Sequence, residues 1–158
     1  MRMGFVVVVF FTAALAAAPR ADAGAQFTWG GRLNTPQIVS GSAGFLIGPL
    51  DAPPRAPDAP PPTKMYIPHG LLIQVEPGLG GGKVGLGYAK GLLNVGGAGM
   101  KAFYMRTWGP TLWAQKNRGY VGVEADATLF MKLSVGVMRT VGEGPRDTAF
   151  TGGIGIGF

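Results

Sequence analysis

Residues 120–139 read YVGVEADATLFMKLSVGVMR. Val121, Val123 and Ala125 alternate with Tyr120, Gly122, Glu124 and Asp126. Leu129, Met131, Leu133, Val135 and Val137 then alternate with Phe130, Lys132, Ser134, Gly136 and Met138. A period of two sends successive side chains to opposite faces of an extended chain, so the stretch reads as two strands. Each has one apolar face and one mixed face. Ala127-Thr128 is the break between them, which predicts a very short turn and antiparallel pairing.

The same pattern spreads outward. Val84, Leu86 and Tyr88 alternate with Lys83, Gly85, Gly87 and Ala89, and Ile154, Ile156 and Phe158 alternate with Gly153, Gly155 and Gly157. Leu71, Ile73 and Val75 alternate with Leu72, Gln74 and Glu76, while Met100–Trp108 is apolar on both faces apart from Lys101 and Arg106. Upstream, Gln37–Ile47 reads as a strand and Gln26–Leu33 as a weaker one. Pro77-Gly78-Leu79-Gly80-Gly81-Gly82 has the glycines that a hairpin turn requires, and Gly91–Gly97, Gly109–Arg118 and Val141–Thr148 are longer connectors. The expected fold is all-β, an antiparallel up-and-down meander closing into a small barrel of about eight strands, six of them clear.

Composition sets the class. The 158 residues include 28 glycines, 13 prolines, no cysteine, 14 Lys+Arg and 8 Asp+Glu. Charge this sparse and glycine this abundant exclude an ordinary helical domain, and a 47% hydrophobic share excludes simple disorder. The lack of cysteine excludes a disulfide scaffold, a zinc–thiolate site and cysteine catalysis. Residues 1–23 read as a secretory signal, with Arg2, an apolar run from Phe5 to Ala18 and the Ala21-Asp22-Ala23 cleavage pattern. That run is too short to cross a bilayer as a helix. Residues 24–48 form an N-terminal strand region, residues 49–63 a Pro-rich linker or loop with 7 prolines in 15 residues, and residues 64–158 the main barrel body.

The mixed faces decide what surrounds the barrel. They carry mainly Gly, Ala and Ser, with isolated Glu76, Lys83, Glu124 and Lys132, and either Lys101 or Arg106. A face turned to water would carry many more charged and polar residues. A narrow lumen instead needs small residues and a few charges that pair across it. The reading is therefore lipid on the apolar face and a lumen charge network of Glu76, Lys83, Arg106, Glu124 and Lys132. Tyr104, Trp108, Trp113 and Tyr120 suit an interfacial aromatic belt.

The final segment, Phe150-Thr-Gly-Gly-Ile154-Gly-Ile156-Gly-Phe158, resembles the terminal strand of bacterial outer-membrane β-barrel proteins, with Gly152 departing from the apolar pattern. The resemblance is specific over about nine residues and architectural over most of 71–158. It implies a place in the bacterial outer membrane, with Phe150, Ile154, Ile156 and Phe158 as an assembly signal read by the barrel-assembly machinery. The expected role is structural or surface-interacting and non-enzymatic. Lys116, Arg118 and Arg146 in outer loops are the expected contacts to lipopolysaccharide, alongside membrane lipid. The competing readings are a soluble periplasmic or secreted β-barrel holding a small apolar ligand, and a lipid A-modifying barrel enzyme.

Little else points to chemistry. His69 is the single histidine, so a His-cluster metal site is excluded and no metal or cofactor is expected. The lipid A-modifying reading would need His69 beside Ser40, Ser42 or Ser134 and oriented by Glu76, Glu124 or Asp126, and no spacing brings them together. Gly78–Lys83 lacks phosphate-loop spacing, and the scattered basic residues form no nucleic-acid stripe, so nucleic acid is not an expected partner.

Overall fold

The computed structural model describes residues 25–48, 69–92, 96–142 and 145–157. The expected signal segment, the Pro-rich stretch and Phe158 lie outside the described residues. Eight strands follow one another: β1 (Ala25–Thr35), β2 (Ile38–Ile47), β3 (His69–Pro77), β4 (Gly81–Leu92), β5 (Gly96–Thr107), β6 (Gly119–Thr128), β7 (Lys132–Val141) and β8 (Thr148–Gly157). Each pairs antiparallel with the next, and β8 pairs back to β1 over Gly30–Thr35, so the sheet is a closed barrel.

Register shows how the wall is built. Starting from Phe27, directly paired residues run through Phe45, Ile73, Leu86, Ala102, Val123, Val137 and Phe150. All eight face outward and all are apolar. Continued across the β8–β1 seam, the row meets β1 about ten residues further along, a stagger that tilts eight strands by roughly 40° and leaves room inside for side chains or one small ligand.

The inside is polar. Among the described residues, thirteen polar or charged residues are buried, against seven hydrophobic ones, while Trp29, Leu33, Leu86, Met100, Val135 and Ile156 are among the many large apolar residues left exposed. A water-soluble domain has the opposite distribution. Strands of 9 to 12 residues carry this pattern from end to end.

The two ends differ. At one end Phe103, Met105, Tyr120, Met138 and Ala149 fill the lumen, with Ala114 of the β5–β6 loop packed on them. That loop is tied down by Leu112 N donating to Pro36 O, Trp108 N to Gly80 O and Gln115 N to the Tyr120 hydroxyl. This is the closed end. At the other, open end lie the first residues of β1, the β6–β7 turn and the last residues of β8.

Two details correct the sequence reading. The β6–β7 turn is Leu129–Met131 rather than Ala127-Thr128, with Thr128 paired to Lys132 across it. Paired residues in a hairpin share a face, so alternation kept its phase through the turn and concealed it. Tyr120 faces inward and is fully buried, so it belongs to the plug and not to an aromatic belt. Tyr104 and Trp108 do lie outside, Trp108 with its indole against Gly82.

Glycine makes the lumen wide enough for long side chains. A Cβ on Gly87 would come within 2.5 Å of Lys101 Cα and 2.6 Å of its Cβ, and one on Gly155 would meet Arg32 Cβ at 2.5 Å. Gly31, on the outer face, has nothing within 4 Å. Gly87→Ala is therefore expected to cost about 1–3 kcal/mol or more through overpacking, and Gly31→Ala less than about 0.5 kcal/mol. Urea unfolding of the two purified variants measures the difference.

Candidate functional site

Six charged side chains meet in the middle of the lumen. Arg32 comes from β1, Glu76 from β3, Lys83 from β4, Lys101 from β5, and Glu124 and Asp126 from β6. Each occupies an inward position of its strand because its neighbours at odd spacing are the apolar residues of the outer wall. All six are buried.

The charges alternate in space. Glu124 lies 2.6 Å from Lys83 and 3.0 Å from both Arg32 and Lys101. Asp126 lies 2.8 Å from Lys101 and 3.2 Å from Arg32. Glu76 takes both Nε and Nη2 of Arg32 in a two-pronged contact, with Lys83 3.6 Å away. Three cations thus face three carboxylates, and every member touches at least two of opposite sign. Such pairing offsets the several kcal/mol that an isolated buried ion would cost.

Neutral groups complete the layer. Glu76 Oε1 also accepts from Asn34 Nδ2 at 2.6 Å and Ser40 Oγ at 2.8 Å. Lys101 Nζ donates to Gln74 Oε1 at 2.8 Å, and Thr151 Oγ1 to Glu124 Oε2 at 3.3 Å. On the closed-end side Lys83 Nζ sits 5.0 Å from the Phe103 ring centroid, joining the charged layer to the apolar plug.

Of the residues expected in the lumen, the structure brings Glu76, Lys83 and Glu124 together. Arg106 is not among them: it faces outward near the closed end, paired in register with Gly82 and Gly119. Lys101 takes the inward place on β5, since residues five apart on a strand point to opposite sides. Lys132 faces inward but nearer the open end, half-buried, and among the described residues it enters none of the seven ion pairs. Arg32 was missed. Its strand was the weakest in the sequence, and its partners lie 44 and more residues away.

The remaining expected residues fall into separate places. Phe150, Ile154 and Ile156 lie on the outer face of β8. Lys116, Arg118 and Arg146 all lie in connections at the closed end, with Arg106 and Arg139 on the wall just below. His69 stands at the open end with its ring 6.3 Å from that of Tyr88, on the outer face, whereas Ser40 and Ser42 point into the lumen. Among the described residues no group of three or more His, Asp or Glu could hold a metal ion.

Comparison with protein-family models, characterised proteins and solved structures gives no match, so function has to be argued from this geometry.

Glu124 touches all three cations, which makes it the most costly of the three carboxylates to lose. Glu124→Gln should lower stability by about 3–5 kcal/mol, because three buried cations lose a shared counter-charge. Arg106→Gln, on the outer wall, should cost at most about 1 kcal/mol. Denaturant midpoints of both variants against the parent protein check the ranking.

Proposed function

We propose that this chain is an outer-membrane β-barrel protein of bacteria, held by lipid around its wall and acting in a structural or surface-interacting role, without enzymatic activity. The observation that carries the reading is the unbroken outward row from Phe27 to Phe150: eight paired residues, one on each strand, with no charge and no hydrogen-bonding side chain. On the described strands charges are confined to the lumen and to the ends of the wall, where Arg106 and Arg139 stand near the closed end and Lys90 near the open end. Hydrocarbon accepts such a surface, and water around it would favour aggregation. Strand lengths suit the bilayer, since about 9–11 tilted residues span its core.

In this reading the closed end faces outward, where the β5–β6 and β7–β8 connections of eleven and six residues exceed the three-residue β4–β5 and β6–β7 links opposite, although the 21-residue β2–β3 connection then leaves from the open end. Lys116, Arg118 and Arg146 then lie at the level of lipopolysaccharide phosphates, with Arg106 and Arg139 beneath them. Arginine suits that partner because its planar fork binds phosphate with two hydrogen bonds.

Two experiments test this. After cell fractionation, the protein should stay in the outer-membrane pellet through an alkaline carbonate wash and be released only by detergent; release by carbonate alone would refute the lipid-facing wall. Val123→Arg, in the middle of the apolar row, should reduce the membrane-assembled amount severalfold, as a midplane arginine costs about 2–4 kcal/mol. Separately, the triple change Lys116→Gln, Arg118→Gln and Arg146→Gln should lower the lipopolysaccharide that co-purifies in mild detergent while the barrel stays folded. Unchanged co-purification would remove lipopolysaccharide as the partner of those loops.

A further inference from the structure

Between the charged layer and the open end the lumen widens into a cavity of about 280 Å³. By volume that is roughly nine water molecules, just below the range of pockets that take drug-sized ligands. The void arises from side-chain choice. Inward positions of β4 and β5 near this end are Ala89, Gly91, Gly97 and Gly99, all lining the cavity, while the adjoining wall of β2 and β3 carries Leu46 and Leu72.

Its electrostatics are one-sided. The floor is Asp126, already held by Lys101 at 2.8 Å and Arg32 at 3.2 Å, beside Gln74, already held by Lys101. Among the described residues three carboxylates are matched to three cations below, so Lys132 on the cavity wall is a fourth lumen cation in excess of them; Lys90, which also borders the cavity, takes the outward parity of β4 and is exposed. Thr28 also lines the cavity, and its buried hydroxyl has no hydrogen-bond partner among the described residues. Buried hydroxyls ordinarily have one, and rotation about χ1 lets this one serve a bound molecule.

We propose that this cavity is a binding site for a small organic monocarboxylate. Lys132 supplies the counter-charge and Thr28 a spare donor, while Leu46 and Leu72 receive a short apolar tail. One excess cation selects a monoanion, and the neutralised Asp126 offers little to a cationic ligand. Because the site is enclosed by the barrel wall, it does not depend on whether lipid or water surrounds the protein.

The test uses the full-length protein purified in detergent, with hexanoate as probe and hexanol and hexylammonium as neutral and cationic counterparts. Methyl NMR signals of Thr28, Leu46 and Leu72 should shift saturably with hexanoate, which should bind at least tenfold more tightly than either counterpart. Lys132→Met, which keeps the stem and removes the charge, should weaken hexanoate at least tenfold without altering hexanol, and Thr28→Val should weaken it severalfold. Equal binding of hexanoate and hexanol, preference for hexylammonium, or absence of shifts at the three methyl-bearing residues would each overturn the proposal. If Lys132→Met fails to fold, the ranking of the three probes on the unaltered protein decides alone.

Discussion

Neutralisation of charge inside a lumen too narrow for bulk water is the constraint on which this barrel rests. A carboxylate taken out of water alone costs several kcal/mol, and three are buried here. They are tolerated because Arg32, Lys83 and Lys101 arrive from three different strands to meet them. The pairing therefore requires closure. Arg32 sits on β1, four of whose six partners across the β8 seam are glycines, so on the lumen side of that seam few side chains hold the strands together. Its guanidinium reaches across the lumen to Glu76 on β3 and to Glu124 and Asp126 on β6, tying the first strand to the middle of the sheet.

Once the charges go inside, the outside is fixed. Each strand has only two faces, and the period of two leaves the alternate positions for apolar residues. That is why Val84, Leu86 and Tyr88 stand opposite Lys83, Gly85, Gly87 and Ala89, and why a Lys101 long enough to cross the lumen needs Gly87 beside it. The same rule sorts the aromatics. Tyr104 shares its parity with Met100 and faces out, whereas Tyr120 shares its parity with Glu124 and faces in, its hydroxyl oxygen accepting from Gln115 N–H.

This rule also explains what could be read from the chain. Local alternation was enough for the barrel, for the outer row and for the inward placement of Glu76, Lys83 and Glu124. Alternation is blind to register, which decides who meets whom. Lys101 faces Glu124 directly across the β5–β6 ladder, but a connection of eleven residues between those strands does not set register as a two-residue turn would. Arg106 was assigned inward because Met100–Trp108 is apolar on both faces: Phe103 and Met105 build the plug and Tyr104 the wall, so hydrophobicity could not tell the sides apart. The role of Arg32 was out of reach for a different reason. Gly30-Gly31 interrupts the pattern of its strand, and its partners become neighbours only when the barrel closes.

The contrast between the two halves of the lumen cannot be assigned to the backbone, because the same eight strands with the same stagger enclose both. Toward the closed end the inward residues of β4 and β5 are Lys83, Phe103 and Met105, and the space is filled. Toward the open end they are Gly87, Ala89, Gly97 and Gly99, and it is not. Interiors of barrels this narrow are ordinarily filled by side chains, so the void reflects residue choice along one hairpin. A solute entering there meets the ion pairs of Asp126, Lys101 and Glu124 and, behind them, the cluster of Phe103, Met105, Tyr120 and Met138. Among the described residues the route ends at that cluster, so the cavity opens toward one end of the barrel alone.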